Sequence, residues 1–252
     1  VGFELDQGWL EAVLLATVRV TAFLFIAPPF AHRGVPARIK AMLAVGLALA
    51  VSPVVTAGYV TGDLPAFLLS LVSQLFIGAG LGTLVAVVFA AVQSAGALID
   101  LFGGFQMAQA FDPGLQVSAA PFARLYQFAA IVLLFASDGY QLILAGLVRT
   151  FTALPLGEAW PAADPAAALT TAVSQMFVAA LQIAGPMIVV LFLADAGLGL
   201  LTRVAPALNA FALGFPVKIL LTVSLAATAF LALPRIVASL TDQVTDLLVG
   251  VG

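Results

Sequence analysis

Apolar residues dominate this chain in long blocks, and polar residues are confined to short breaks between them. Six blocks stand out: Trp9–Phe30, Ile39–Ala57, Ala66–Ile99, Pro121–Leu154, Ala166–Leu201 and Phe211–Leu233. A helix needs about 20 mostly apolar residues to cross a bilayer. The pattern therefore predicts an all-α membrane protein with about six long hydrophobic segments. The breaks carry turn chemistry, as at Pro28-Pro29, Gly62-Asp63, Asp112-Pro113-Gly114, Leu156-Gly157 and Asp164-Pro165. No break is long enough to fold alone, which leaves one membrane-associated helical domain over residues 1–252.

Three blocks exceed the needs of one crossing. Ala66–Ile99 would measure about 50 Å as a helix, against a hydrocarbon core of about 30 Å. Tilt absorbs only part of such an excess. Ser137-Asp138-Gly139 divides the fourth block, and Gly185-Pro186 is placed to kink the fifth. Several segments are thus expected to be kinked or broken into helical hairpins, or to be buried against protein outside the bilayer.

Between the third and fourth blocks, the stretch from Gly96 to Gly114 holds four glycines, three phenylalanines, one methionine and two aspartates. Its glycines and Pro113 interrupt regular helix and free backbone polar groups. At membrane depth, such backbone is tolerated where protein buries it or where it lines a watery cavity. Hydrophobic constrictions can gate a pore by excluding water, and methionine fills irregular gaps. On that reading this stretch, within about residues 96–116, sits at a pore or a subunit junction. Ordinary packing of an apolar loop is the competing reading, and composition alone slightly favours it.

Composition narrows the chemistry further. The chain is 63% hydrophobic and 8% charged, against about 25% charged residues in a soluble domain. Its Lys and Arg are scattered and give no footprint for nucleic acid. With no cysteine, disulfides and thiolate metal sites are excluded, and with only His32 as histidine a histidine-based metal site would need a second chain. The acidic N-terminus does not read as a cleaved signal peptide. Gly78-Ala-Gly80-Leu-Gly82 lacks the spacing and the lysine of a phosphate-binding loop. Gly78 and Gly82 read instead as a small-residue helix face for close backbone approach, and Gly197-Leu-Gly199 is expected to act similarly. No enzymatic activity and no cofactor or metal is implied.

The isolated charges need partners. Arg19 lies mid-block, where a charge costs about 2.5–3.5 kcal/mol on insertion scales. It either forms an ion pair that locks its helix to another helix or subunit, or pairs with a backbone carbonyl. Asp100, Asp138 and Asp195 are also set among apolar residues. Structural pairing with Arg19, Arg124, Arg149 or Arg203 is favoured for them over a proton pathway. Arg33, Arg38 and Lys40 cluster after the first block, and Arg203 and Lys218 bracket the gap after the fifth. The positive-inside tendency would put both basic gaps inside and both termini outside.

Four motifs in order carry a resemblance. They are Pro28-Pro29-Phe30 with Arg33-Gly-Val-Pro36-Ala-Arg38-Ile-Lys40; Ala95-Gly96 through Asp100, Gly103-Gly104 and Phe111-Asp112-Pro113; Asp138-Gly139-Tyr140-Gln141 through Leu154-Pro155-Leu156-Gly157; and Ala205-Pro206 through Asn209, Gly214-Phe215-Pro216 and Lys218. Together they span almost the whole chain, which resembles the FliR/SctT family of type III export-gate subunits. There are departures. The family often has an acidic residue where Gln74 stands, His at Tyr140, Ser at Thr150 and Gln at Ala207.

The resemblance implies a non-enzymatic subunit of the flagellar type III protein export gate, at the inner membrane within the basal body. It implies a hetero-oligomer with FliP- and FliQ-like subunits, together with FlhB and FlhA, through which unfolded exported proteins pass. It implies that Phe102, Gly103, Gly104, Phe105, Met107, Phe111, Asp112 and Pro113 form the plug of the closed channel. It would also explain the overlong blocks, because much of the family's complex lies above the bilayer plane. Arg19, Gly78, Gly82, Gly185, Pro186, Pro206, Asn209, Pro216 and Lys218 are the candidates for helix packing and assembly. The homologous subunit of a virulence injectisome is the nearest rival. A small-solute secondary transporter is the more distant one, and it would call for repeat symmetry and midplane polar residues that the sequence does not display.

Overall fold

In an apolar setting a helix satisfies each backbone N–H within its own segment, which is why apolar blocks of this length fold as helices. The computed structural model describes residues 6–32, 34–105, 120–157, 165–205 and 210–249. Among them are eight helices and no strand: α1 Gln7–Ile26, α2 Ala37–Val55, α3 Leu64–Phe102, α4 Pro121–Ala136, α5 Gly139–Ala153, α6 Pro165–Val204, α7 Ala210–Phe230 and α8 Leu233–Val249. Five of these are long and apolar enough to cross a membrane: α1, α2, α3, Leu169–Val204 of α6 and Leu213–Phe230 of α7. α4 and α5 pass the same test as a pair but bend by 76° at their junction.

That junction is the break expected at Ser137-Asp138-Gly139. Asp138 adopts a left-handed backbone with φ of 56°, and its carboxylate accepts a hydrogen bond from Gln141 Nε2 at 3.2 Å. The third block behaves differently. α3 runs unbroken for 39 residues, about 58 Å at 1.5 Å per residue. α6 likewise continues through Pro186 over 40 residues. Proline in a helix interior removes one hydrogen bond, and the remaining bonds of α6 carry the helix across it.

The chain divides into two compact units, and α3 contributes to both. The first comprises Val1–Val88, Leu134–Ala172 and Ala238–Gly252. Its buried positions include Leu15, Ala16 and Phe23 on α1, Ala44 and Ala48 on α2, Ile77 and Leu81 on α3, and Ile143 and Leu147 on α5. α8 closes this unit against α5, where a Cβ on Gly146 would lie 2.9 Å from Leu248 Cδ1. α8 carries Leu233, Val237, Leu240, Val244 and Leu248 as one buried stripe, of which Leu240, Val244 and Leu248 belong to this unit. It escapes a search for apolar blocks because its apolar residues recur at helical spacing among polar ones. In the loop before α3, the Tyr59 hydroxyl lies 3.4 Å from Glu11 Oε2 as a donor. Partial burial and the Glu11 charge push that phenol's pKa up.

The second unit comprises Phe89–Leu133 and Val173–Val237. Ala91, Val92, Ala95 and Ile99 on α3 are buried in it, as are Tyr126 on α4 and Ala184 and Leu191 on α6. Tyr126 packs edge-on against Phe230 with ring centroids 5.8 Å apart. Gly197 and Gly199, read from sequence as close-contact positions, have nothing within 4 Å of an added Cβ. This part of α6 meets α7 through another face, where a Cβ on Gly214 would lie 3.3 Å from Leu198 Cδ1.

The small-residue face of α3 is realised. A Cβ on Gly78 would fall 2.2 Å from the Arg19 carbonyl oxygen, and one on Gly82 would fall 3.1 Å from Phe23 O and Ile26 Cβ. Gly78→Ala is expected to lower the thermal midpoint in mild detergent, with an overpacking cost on the order of 1–3 kcal/mol. Gly185→Ala, with open space around the new methyl, should leave the midpoint unchanged or raise it. Equal shifts for the two variants would contradict the close packing of α1 on α3.

Candidate functional site

The C-terminal end of α3 leads into the Gly-rich stretch, and its geometry follows from the sequence Asp100-Leu-Phe-Gly-Gly-Phe. The Phe105 N–H donates to Asp100 O at 3.0 Å, and the Gly104 N–H donates to Leu101 O at 3.3 Å. Gly104 has φ of +81°, the left-handed position that glycine adopts without a Cβ penalty. This pair of bonds closes a helix end and satisfies carbonyls that would otherwise be orphaned.

The Asp100 carboxylate points the other way. Its Oδ1 accepts from the Phe122 N–H at 3.0 Å and its Oδ2 from the Ala123 N–H at 2.9 Å. These are first-turn amides of α4, where no intrahelical acceptor exists and the helix dipole favours negative charge. Pro121, at the first helical position, has no N–H to satisfy. Asp100 is fully buried, yet both its oxygens are used. One residue thus terminates α3 through its carbonyl and caps α4 through its carboxylate, clasping the chain on either side of residues 101–121.

Small residues let the two helices meet. A Cβ on Gly96 would lie 2.6 Å from Ala123 Cα and from Phe122 O, so only glycine allows this approach. Above the clasp, the Phe105 ring meets Phe122 edge-on with centroids 5.2 Å apart. Gly103 is buried beside the Thr222 hydroxyl, and Gly104 faces the Phe215 ring. Phe102 is half-buried. Met107, Phe111, Asp112 and Pro113 lie outside the described residues, as do Pro206 and Asn209 among the assembly candidates.

Arg19 is the second polar centre. It is fully buried. Its Nε donates to Gln74 Oε1 at 2.6 Å, its Nη1 to Thr150 O at 3.2 Å and its Nη2 to Leu154 O at 2.8 Å. The guanidinium also lies 4.4 Å from the Phe151 ring centroid. Of the two readings of Arg19, the geometry is the carbonyl one. The acceptors lie at the C-terminal end of α5, where the helix dipole places partial negative charge; Thr150 O also accepts from the Leu154 N–H at 2.8 Å. Gln74 supplies one acceptor, but its Nε2 is buried without a partner.

The aspartate–arginine pairing expected from sequence does not describe these carboxylates. Asp100 is held by backbone N–H groups, Asp138 by Gln141, and Asp195 pairs with Lys218 at 2.7 Å. For Asp100, free helix-end amides are better placed partners than a long side chain that must be immobilised. Sequence reasoning missed Phe122, Ala123, Thr150 and Leu154. They contribute backbone groups, which residue type does not signal. Pro216 lies within α7, where Lys218 is half-buried in its ion pair. No group of three or more metal-ligating side chains occurs among the described residues.

Comparison with known proteins gives one family. The profile of the bacterial export proteins, family 1, matches residues 10–244. The flagellar biosynthetic protein FliR of Escherichia coli K12 is 32% identical over 248 residues, covering 97% of this chain and 94% of that protein. The protein of the same name from Caulobacter vibrioides is 28% identical over 96% of this chain and 95% of its own length. The Yop proteins translocation protein T of Yersinia pestis is 30% identical over 68% of this chain and 67% of its own.

Two outcomes test the polar centres. Asp100→Ala should speed amide exchange at Phe122 and Ala123, reflecting loss of a cap worth about 1 kcal/mol; unchanged exchange would mean that the carboxylate is dispensable to α4. Gln74→Glu should raise the thermal midpoint in detergent, because it removes an orphaned donor costing about 1–3 kcal/mol and gives Arg19 a counter-charge. A lowered midpoint would show that the amide suits the site better.

Proposed function

Because the chain belongs to family 1 of the bacterial export proteins, we propose that it is a subunit of the flagellar type III protein export gate. In this reading it is non-enzymatic and sits in the inner membrane at the flagellar basal body. It assembles with FliP- and FliQ-like subunits, beside FlhB and FlhA, and forms part of the channel for unfolded flagellar proteins. The observation that carries the flagellar assignment is coverage: the FliR relatives from Escherichia coli and Caulobacter align over 97% and 96% of the chain, the Yop translocation relative over 68%. The injectisome reading keeps its support from that last similarity.

The surface supports a multi-subunit setting. The most apolar windows of α6 and α7 are only 22% and 17% buried, with Phe177, Phe192, Leu193 and Leu200 exposed on α6. The Asp195–Lys218 ion pair on the same helices is also partly exposed. Lipid is a poor solvent for an ion pair, so neighbouring protein or water is the better environment for that face.

Within the gate, we assign Phe102, Gly103, Gly104, Phe105, Met107, Phe111, Asp112 and Pro113 to a hydrophobic plug. Its support is the Asp100 clasp. A segment anchored at both ends, with aromatic residues and glycines between, suits a part that moves while its base stays fixed. Replacing Phe102, Phe105 and Phe111 by Ser should make the assembled gate conduct small ions while leaving the yield of the complex intact. Unchanged conductance through a fully assembled gate would favour plain packing of this segment. Failure of the chain to co-purify with FliP- and FliQ-like partners would count against the gate assignment itself.

A further inference from the structure

A groove of about 440 Å³ runs along the outer face of the first unit between α1 and α3. Thr17, Thr21 and Phe25 line it from α1, with Leu75 and Ala79 from α3. The Thr17 hydroxyl is already spent on the Val13 carbonyl at 2.7 Å, so the groove has almost no polar demand of its own. It extends from mid-α1 at Thr17 to the helix end at Ile26. That is about 14 Å at 1.5 Å per residue, close to the roughly 15 Å depth of one leaflet of the hydrocarbon core.

The end of the groove is cationic. Lys40, near the start of α2, is only 7% exposed. Its ammonium lies 5.1 Å from the centroid of the Phe25 ring, the same ring that lines the groove. Among the described residues no carboxylate pairs with Lys40; the ion pair that forms is Lys218–Asp195. The first turn of α2 has no acidic residue and no side-chain cap, so its amides and dipole add to the positive field there. Arg38 sits in the same turn.

We propose that this groove holds one acyl chain of an anionic phospholipid whose phosphate rests at Lys40 and the start of α2. An apolar slot one leaflet deep, with a single desolvated cation at its mouth, matches that amphiphile in length and in charge. A partner helix would match the slot but leave the lysine without an anion. The Lys40 stem lies along apolar surface while its head meets the headgroup layer, as basic residues do at membrane interfaces. The site would tie the α1–α3 pair to the leaflet that carries anionic lipid, and it does not depend on the plug or on the identity of exported proteins.

The test uses the full-length chain in mild detergent, alone and in its assembled complex. Phosphatidylglycerol and phosphatidylcholine with identical acyl chains are supplied, and retained lipids are counted by native mass spectrometry. One phosphatidylglycerol per chain should be held about fivefold more strongly than phosphatidylcholine, as expected for one basic residue near an anionic headgroup. Lys40→Gln should abolish the preference and Lys40→Arg should keep it. Thr21→Trp, which fills the groove, should reduce retention of both lipids. Equal retention of the two lipids by the unaltered chain, or a preference that survives Lys40→Gln, would overturn the proposal. So would a cysteine at Thr21 that cross-links efficiently to a neighbouring protein chain in the complex, since a partner helix would then fill the groove.

Discussion

A polar group removed from water must find its partner within the protein, and in a chain this apolar there are few side chains to provide one. That constraint organises both units. In the first, the Arg19 guanidinium uses the last carbonyls of α5 and the amide oxygen of Gln74. In the second, the Asp100 carboxylate uses the first amides of α4. The two solutions are mirror images, a cation at a helix C-terminus and an anion at a helix N-terminus. Each replaces a salt bridge with groups that the backbone supplies in any case.

Close packing makes these solutions possible. Arg19 lies on the stretch of α1 whose backbone Gly78 admits, and the Asp100 cap forms where Gly96 lets α3 touch the start of α4. A methyl group at either glycine would collide with backbone, which cannot yield as a flexible side chain can. Glycine positions and polar contacts therefore depend on each other. The first unit has a residual imperfection in the orphaned Gln74 amide, at a position where the resembled family often carries an acid. The Arg19 site here works with an acceptor but without a counter-ion.

The functional reading divides along the same lines. Membership of the export family rests on similarity over residues 10–244. What the structure adds is a fixed base for the Gly-rich segment and a pair of sparsely covered helices, α6 and α7, that carry an exposed ion pair. The plug proposed above would need such a base, and the proposed assembly would cover such helices.

The sequence by itself determined the helical class, the positions of the long segments, the bend at Asp138 and the small-residue face at Gly78 and Gly82. These follow from hydropathy, turn chemistry and spacing, which act over a few neighbouring residues. It did not reveal α8, whose apolar stripe is diluted by polar residues, nor that α3 and α6 stay unbroken through lengths that invited a hairpin. It also paired the aspartates with arginines, whereas Asp100 takes amides 22 and 23 residues away and Asp195 takes Lys218. Only the tertiary structure decided those partners. Backbone donors and acceptors are the same at every residue, so which of them a buried charge meets depends on where helix ends come to rest in space.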